Sequence, residues 1–367
     1  MRAAVLHGQG DLRLEDLPVP VPGSGELLLR VGTVGLCGTD AHEFGHGPTM
    51  FPILRRHPVT GHLGPMVIGH EFSGVVVDVG PGVDARWLGR LVASCGAVPC
   101  GRCWQCLRSR SNLCVDYHGV GLHRHGALAE YVVTPAVNCR IVDELGLGPD
   151  AAALGQPMSI AVHARNRGRS LPGEPVLIVG VGGIGTFLVY ALARSGCVVV
   201  AVDADPQRLA LAERVGASVT LAAAPPESLR EQVNGALGGP PLTVYEATGV
   251  PAGFDAAVAA VPRGGRLVVV GLQGRRLEVD LRRLAVDEHE LIGTNAMVCE
   301  QDFDQALQLV AQRTEGWADV APTVLSLEDA VRDGVAALAQ GRGPTKTLVD
   351  PAITSSRPAM TRPGATT

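Results

Sequence analysis

The sequence predicts an α/β protein of two domains, one an irregular β-barrel-like domain and the other a doubly wound parallel sheet. Three observations predict it. Residues 1–150 carry short β-branched runs separated by Gly and Pro, the pattern of short strands joined by turns. From about residue 155, continuous apolar runs alternate with segments of helical spacing, the pattern of a parallel sheet covered on both faces. The 367 residues also exceed the roughly 250–300 at which a single core stops growing.

In chain order, residues 26–31 and 74–79 typify the strands of the first domain. Residues 175–179 form an apolar strand that runs into a Gly-rich turn and a helix over 186–195. A strand over 197–202, a helix over 206–215 and strands over 242–246 and 266–270 continue the alternation. Helices over 301–311 and 327–339 and a strand over 345–349 are assigned back to the first domain. The expected division is thus 1–154 with 297–350, and 155–296. Residues 351–367 are rich in Pro, Ser and Thr without apolar periodicity and are expected to be a disordered tail.

Composition narrows the function. Hydrophobic residues make up 46% and charged residues 18%, which suits a large packed core. A net charge of −5 offers no cationic surplus for phosphates, so a nucleic-acid partner is not expected. No run approaches the ~18 apolar residues of a membrane helix. Residues 1–8 lack a signal-peptide core, so a cytoplasmic location is expected. There the nine cysteines should be thiols, metal ligands or packing residues and not disulfides.

The strongest local signal is Cys100-x2-Cys103-x2-Cys106-x7-Cys114. Four thiolates at this spacing can enclose a tetrahedral Zn²⁺; an iron–sulfur cluster is the competing use of the same ligands. A site closed by four Cys leaves no position for substrate, so it should be structural.

The second signal is Gly180-Val181-Gly182-Gly183-Ile184-Gly185, which follows a buried strand and opens a helix. Gly180 permits the tight turn, Gly182 a close approach of backbone to pyrophosphate, and Gly185 close helix–strand packing. Asp203, 18 residues beyond Gly185, ends the next strand. Its carboxylate can bind the adenosine ribose hydroxyls and would repel a 2′-phosphate, which favours NAD. Arg208 either reaches the ribose or a phosphate or is solvated on its helix. Thr248, Gly271 and Leu272, just beyond the later strands, complete the candidate cofactor set.

The third constellation is dispersed. Cys37-Gly38-Thr39-Asp40-Ala41-His42 follows one strand, and Gly69-His70-Glu71 precedes another. Cys, His and a carboxylate could hold a catalytic Zn²⁺ with a position open for substrate, or could each be ordinary structural residues.

Taken together and in this order, these motifs resemble the zinc-containing medium-chain dehydrogenases over roughly residues 1–350. The resemblance implies a GroES-like catalytic domain, a Rossmann NAD-binding domain, and two Zn²⁺ per chain. It implies Cys37 and His70 as catalytic zinc ligands and Glu71 as a direct or intermittent one. It implies that Thr39 takes the substrate hydroxyl proton and passes it through the nicotinamide ribose towards His42. Gly47-Pro48-x3-Pro52 and His57-Pro58-Val59-Thr60-Gly61 are similar to the 2,3-butanediol dehydrogenase branch, and residues 157–164 to the sorbitol/butanediol branch. One departure stands out. Gln156 occupies a position where that branch usually has Glu, and an amide is a weaker, neutral zinc ligand. The expected activity is hydride transfer between NAD and a secondary alcohol, a vicinal diol or polyol, interconverted with its ketone. A sugar, cyclitol, threonine or aldehyde substrate is the alternative, and a non-enzymatic NAD- or zinc-binding protein the remote one. A homo-oligomer, dimer or tetramer, is expected.

Overall fold

A computed structural model describes residues 1–362 and resolves two compact units. One comprises residues 1–159 and the chain from Met297 onward; the other is Ile160–Ala296. The division falls inside the helix Gly155–Gly168, so Gln156 belongs to the first unit. Among the described residues no helix is long and apolar enough to cross a membrane.

In the first unit the strand Glu26–Leu36 is the spine. It pairs antiparallel with Glu71–Val79, Tyr131–Pro135 and Thr347–Asp350. Leu27, Leu29 and Val31 alternate into the core while Arg30 faces solvent. Each fully buried Leu contributes about 1.5–3 kcal/mol. Register shifts at Leu28/Leu29 and Val31/Thr33 bend the pairing with Glu71–Val79 and curve the sheet. A smaller sheet of Arg2–Gly8, Asp11–Asp16 and Met66–Val67 shares the same apolar core through Leu6 and Met66.

Two expectations need correction here. The helix over 301–311 is preceded by a wide turn, Cys299–Phe303, and the regular helix is Asp304–Gln312. Residues 351–362 are not a disordered tail. Arg357–Pro358 pairs antiparallel with Thr323–Ser326. Arg357 donates to both oxygens of buried Asp150 at 2.7 and 3.0 Å, and Trp317 N donates to Thr361 Oγ1 at 2.7 Å. The segment is held by polar anchors, which an apolar-periodicity reading does not detect. The remainder of that expectation, 363–367, lies outside the described residues.

The second unit is the doubly wound sheet that the alternation predicted. Six parallel strands run in the order Val219–Ala222, Val198–Asp203, Pro175–Val179, Thr243–Glu246, Arg266–Val269 and Glu290–Gly293. Leu177, Val179, Val200, Val202 and Val244 are buried in its core. Strand order reverses between Pro175–Val179 and Thr243–Glu246. That is the switch point at whose carboxyl edge open α/β sheets bind ligands.

Candidate metal centres and cofactor site

The spine strand and its antiparallel neighbour build the first centre. Gly35 is in register with Glu71, so the residues just past the end of one strand meet those that start the other. Cys37 is the N-cap of the helix Gly38–His46, where its N–H donates to Asp40 Oδ2 at 2.9 Å. Gly69 precedes His70 at φ 94, and a Cβ there would lie 2.9 Å from Leu128 N, so this approach requires glycine. The result brings one ligand atom each from Cys37, His70 and Glu71 within 4.8 Å of one another.

The electrostatics of this group favour a cation. Asp40 Oδ1 and Glu71 Oε1 are buried without a hydrogen-bond partner. Burial alone would lower the His70 pKa, but Asp40, 3.6 Å away, and Cys37 outweigh it and hold the imidazole well above its usual range. A soft cysteine sulfur, an imidazole and an unsatisfied carboxylate are a donor set that borderline-soft zinc takes, so the residues present fit the metal.

Lys346 also enters this site, and sequence reasoning missed it. Its ammonium pairs with Glu71 Oε2 and donates to Leu36 O at 3.0 Å. A buried Lys next to a terminal strand carries no local motif, and only the pairing of Thr347–Asp350 with Glu26–Leu36 brings it here.

Thr39 and His42 lie three residues apart on one helix face. Thr39 Oγ1 is 3.8 Å from Cys37 Sγ. The His42 side chain is 58% exposed, with Nδ1 3.8 Å from buried Glu43. Gln156 is buried in the first turn of its helix, where its carbonyl accepts from Ser159 Oγ at 2.6 Å.

The second group is Cys100, Cys103, Cys106 and Cys114, again with ligand atoms within 4.8 Å of one another. Cys100 N donates to Cys114 Sγ at 3.1 Å and Cys103 N to Cys100 Sγ at 3.4 Å. Backbone N–H groups of Cys106 and Val115 pull the Cys103 thiol down to about 6, towards the thiolate a metal needs. The lobe itself has only two short turns, Cys106–Arg108 and Ser111–Leu113, and leaves Trp104 and Leu107 exposed.

In the second unit the glycine-rich turn does three separate jobs. Gly180 has φ 94, and a Cβ there would meet Thr248 Cγ2 at 2.6 Å. A Cβ at Gly185 would meet Gly180 O at 2.0 Å. A Cβ at Gly182 would meet only the tip of Arg208, at 3.7 Å, so its face is open for a pyrophosphate. Gly182 caps the helix Gly183–Arg194 without a side-chain bond, which leaves the first N–H groups, including those of Gly183 and Ile184, free of a competing side-chain cap. Asp203 Oδ2 accepts Val181 N–H at 2.9 Å, and Arg208 Nη1 lies 3.9 Å from the same oxygen. Thr248 is bound to Glu246, a Cβ at Gly271 would meet Gly249 N at 2.2 Å, and Leu272 is exposed.

With this geometry in view, the comparisons with known proteins decide the family. Residues 23–144 match the alcohol dehydrogenase GroES-like domain and residues 183–312 the zinc-binding dehydrogenase domain. Sorbitol dehydrogenase of Bacillus subtilis (strain 168) is 31% identical over 79% of this chain and 80% of its own length. The chain belongs to the zinc-containing medium-chain dehydrogenase family. Within that family it matches the zinc-binding dehydrogenases of the alcohol dehydrogenase type. The crystal structure of 2R,3R-butanediol dehydrogenase from Bacillus subtilis superposes with a TM-score of 0.87 at 27% identity, over 95% of this chain and 99% of that one. A zinc-binding dehydrogenase from Sinorhizobium meliloti 1021 bound to NADP superposes with a TM-score of 0.81 at 28% identity, covering 95% and 99%.

Proposed function

We propose that this chain transfers hydride between NAD and a secondary alcohol of the vicinal-diol or polyol class. The observation that carries the reading is the convergence of half-buried Cys37 with buried His70 and Glu71 at the helix that also bears Thr39 and His42. Cys37, His70 and Glu71 would hold the catalytic zinc, with Gln156 at its edge. Cys100, Cys103, Cys106 and Cys114 would hold a second, closed zinc of structural role. When bound, zinc supplies Lewis acidity to the substrate oxygen and NAD supplies the hydride acceptor.

The chain's own residues bind, align and move the proton. Thr39 Oγ1, beside Cys37, accepts the substrate hydroxyl proton, and His42, one turn on and open to solvent, releases it. Gly180, Gly182, Gly183, Ile184 and Gly185 seat the pyrophosphate on the helix N-terminus. Asp203 takes the ribose hydroxyls and selects NAD over NADP. Arg208, Thr248, Gly271 and Leu272 complete the cofactor site. The substrate class is supported by the relatives named for sorbitol and butanediol. The exposed edge strand Glu290–Gly293 supports a homo-oligomer.

The test is initial-rate oxidation of a panel of 2,3-butanediols, sorbitol, cyclitols, threonine and simple alcohols by the zinc-loaded protein with NAD⁺. NADH formation fastest on a diol or polyol is expected. Fastest turnover of threonine, or none of any substrate, would overturn the reading.

A further inference from the structure

Glu246 ends the strand Thr243–Glu246, beside the switch point of the sheet, and is completely buried. Its Oε1 accepts the N–H of Thr248 at 2.7 Å and of Gly249 at 3.0 Å, together with the Thr248 hydroxyl. Its Oε2 accepts from Gln273 Nε2 at 3.1 Å. This acceptor-only pattern is that of an ionised carboxylate. All four donors are neutral, and among the described residues no Arg, Lys or His is ion-paired with it. A buried anion without a counter-charge is costly. A glutamine would offer an acceptor oxygen of the same reach at lower cost, so the charge itself calls for a reason.

Position supplies one. The two loops that Glu246 ties together, Thr248–Gly249 and Gly271–Gln273, rim the carboxyl edge of the sheet. Gly180 packs against Thr248 on one side of the glycine-rich turn, and Asp203 holds Val181 on the other. With the adenosine ribose on Asp203, the dinucleotide crosses the turn and its other half runs over the Glu246 loops. That half carries the one charge that distinguishes the two redox forms, because the nicotinamide ring is cationic in NAD⁺ and neutral in NADH.

We propose that Glu246 is the residue that biases this site towards the oxidised cofactor. The inference rests on the reading that this unit binds NAD(H). The fixed charge acts equally on the pyrophosphate of both forms, so its effect on their ratio comes from the ring alone. At an effective dielectric of about 20 and a separation of roughly 10 Å, the discrimination is on the order of tenfold.

The test is the dissociation constants of NAD⁺ and NADH, by calorimetry, for the zinc-loaded full chain and for Glu246→Gln. The amide keeps an acceptor towards Thr248 and Gly249, and Gln273 can turn its own oxygen to the new NH₂. The ratio Kd(NAD⁺)/Kd(NADH) should rise about tenfold in the variant, with NADH binding little changed. Gln273→Lys sets a cation beside an intact Glu246 and should move the ratio the same way, which covers the case of a misfolded Glu246→Gln. Equal changes in both constants, or none, would show that Glu246 only shapes its loops. If the unsubstituted chain binds neither form, the NAD(H) reading itself falls and this proposal with it.

Discussion

Lys346 and Glu71 form a buried ion pair inside the candidate metal centre of Cys37, His70 and Glu71. Burial alone would push the Lys346 ammonium down, but Glu71, and then Cys37, hold it above its ordinary value. The pair leaves Glu71 Oε1 without a partner, as a carboxylate shared between a lysine and a metal would be. Lys346→Met strands Glu71 as an uncompensated buried charge, which costs about 3–5 kcal/mol. Zinc would supply part of the missing counter-charge. Denaturant midpoints should therefore fall in both forms of the variant, and further after chelation than with zinc bound. An equal drop in the two forms would place Glu71 away from the metal.

Asp203 is expected to do two things that different substitutions separate. Its Oδ2 holds the Val181 N–H of the glycine-rich turn, and its charge discourages a 2′-phosphate. Asp203→Ala should weaken NAD binding, narrow the gap to NADP, and cost about 1–3 kcal/mol for the abandoned N–H. Asp203→Asn keeps the acceptor for Val181 but loses, with the charge, the second acceptor that takes the Asp205 N–H at 3.0 Å. It should narrow the gap with a smaller loss of thermal stability than Asp203→Ala. Better use of NADP than of NAD by the unsubstituted chain would contradict the assignment.

The four-cysteine lobe has few apolar contacts of its own, so its order should depend on the ion. Wild-type protein should carry two zinc ions per chain and Cys103→Ser one. The variant's lobe should become protease-sensitive between residues 99 and 116 while the unit's main sheet persists. A variant with full zinc content and unchanged proteolysis would argue against the structural role.

Gln156→Glu tests the departure from the sorbitol/butanediol pattern. Added negative charge beside the metal should tighten zinc binding and make a metal-bound oxygen less acidic. The rising limb of the kcat–pH profile should then move to higher pH. No change in zinc affinity or in that profile would place Gln156 away from the metal.

A pH effect on stability should come from the turn before Leu128. His123 Nδ1 accepts the Gly119 N–H at 3.0 Å, and its ring lies 4.6 Å from that of His57. Burial, then the neighbouring His57 and His118, push it from 6.5 down to about 4. The unfolded chain therefore takes up this proton first on acidification. Its contribution is complete above about 6.5 and is lost as pH falls through about 4. The denaturant midpoint should decline across that window. His123→Asn, which keeps an acceptor for Gly119, should decline less steeply, and identical slopes would remove His123 as the cause.

What the sequence by itself determined was whatever chemistry is local. The glycine-rich turn is legible because its glycines fall within six residues, between an unbroken apolar strand and the start of a helix. The four-cysteine lobe is legible because its ligands fall within fifteen residues, and the parallel sheet because strands buried on both faces read as unbroken apolar runs. Tertiary structure decided the rest. Cys37 meets His70 and Glu71 only through the antiparallel register of Gly35 with Glu71. Lys346 reaches that centre, and Arg357 reaches Asp150, only because the end of the chain returns to the first sheet. Glu246 looks like any strand-end acid until the loops that close on it are in place. His70, Glu71, Lys346, Asp150 and Glu246 are buried ionisable groups, and whether such a group can be buried depends on partners that neighbouring residues in sequence do not supply.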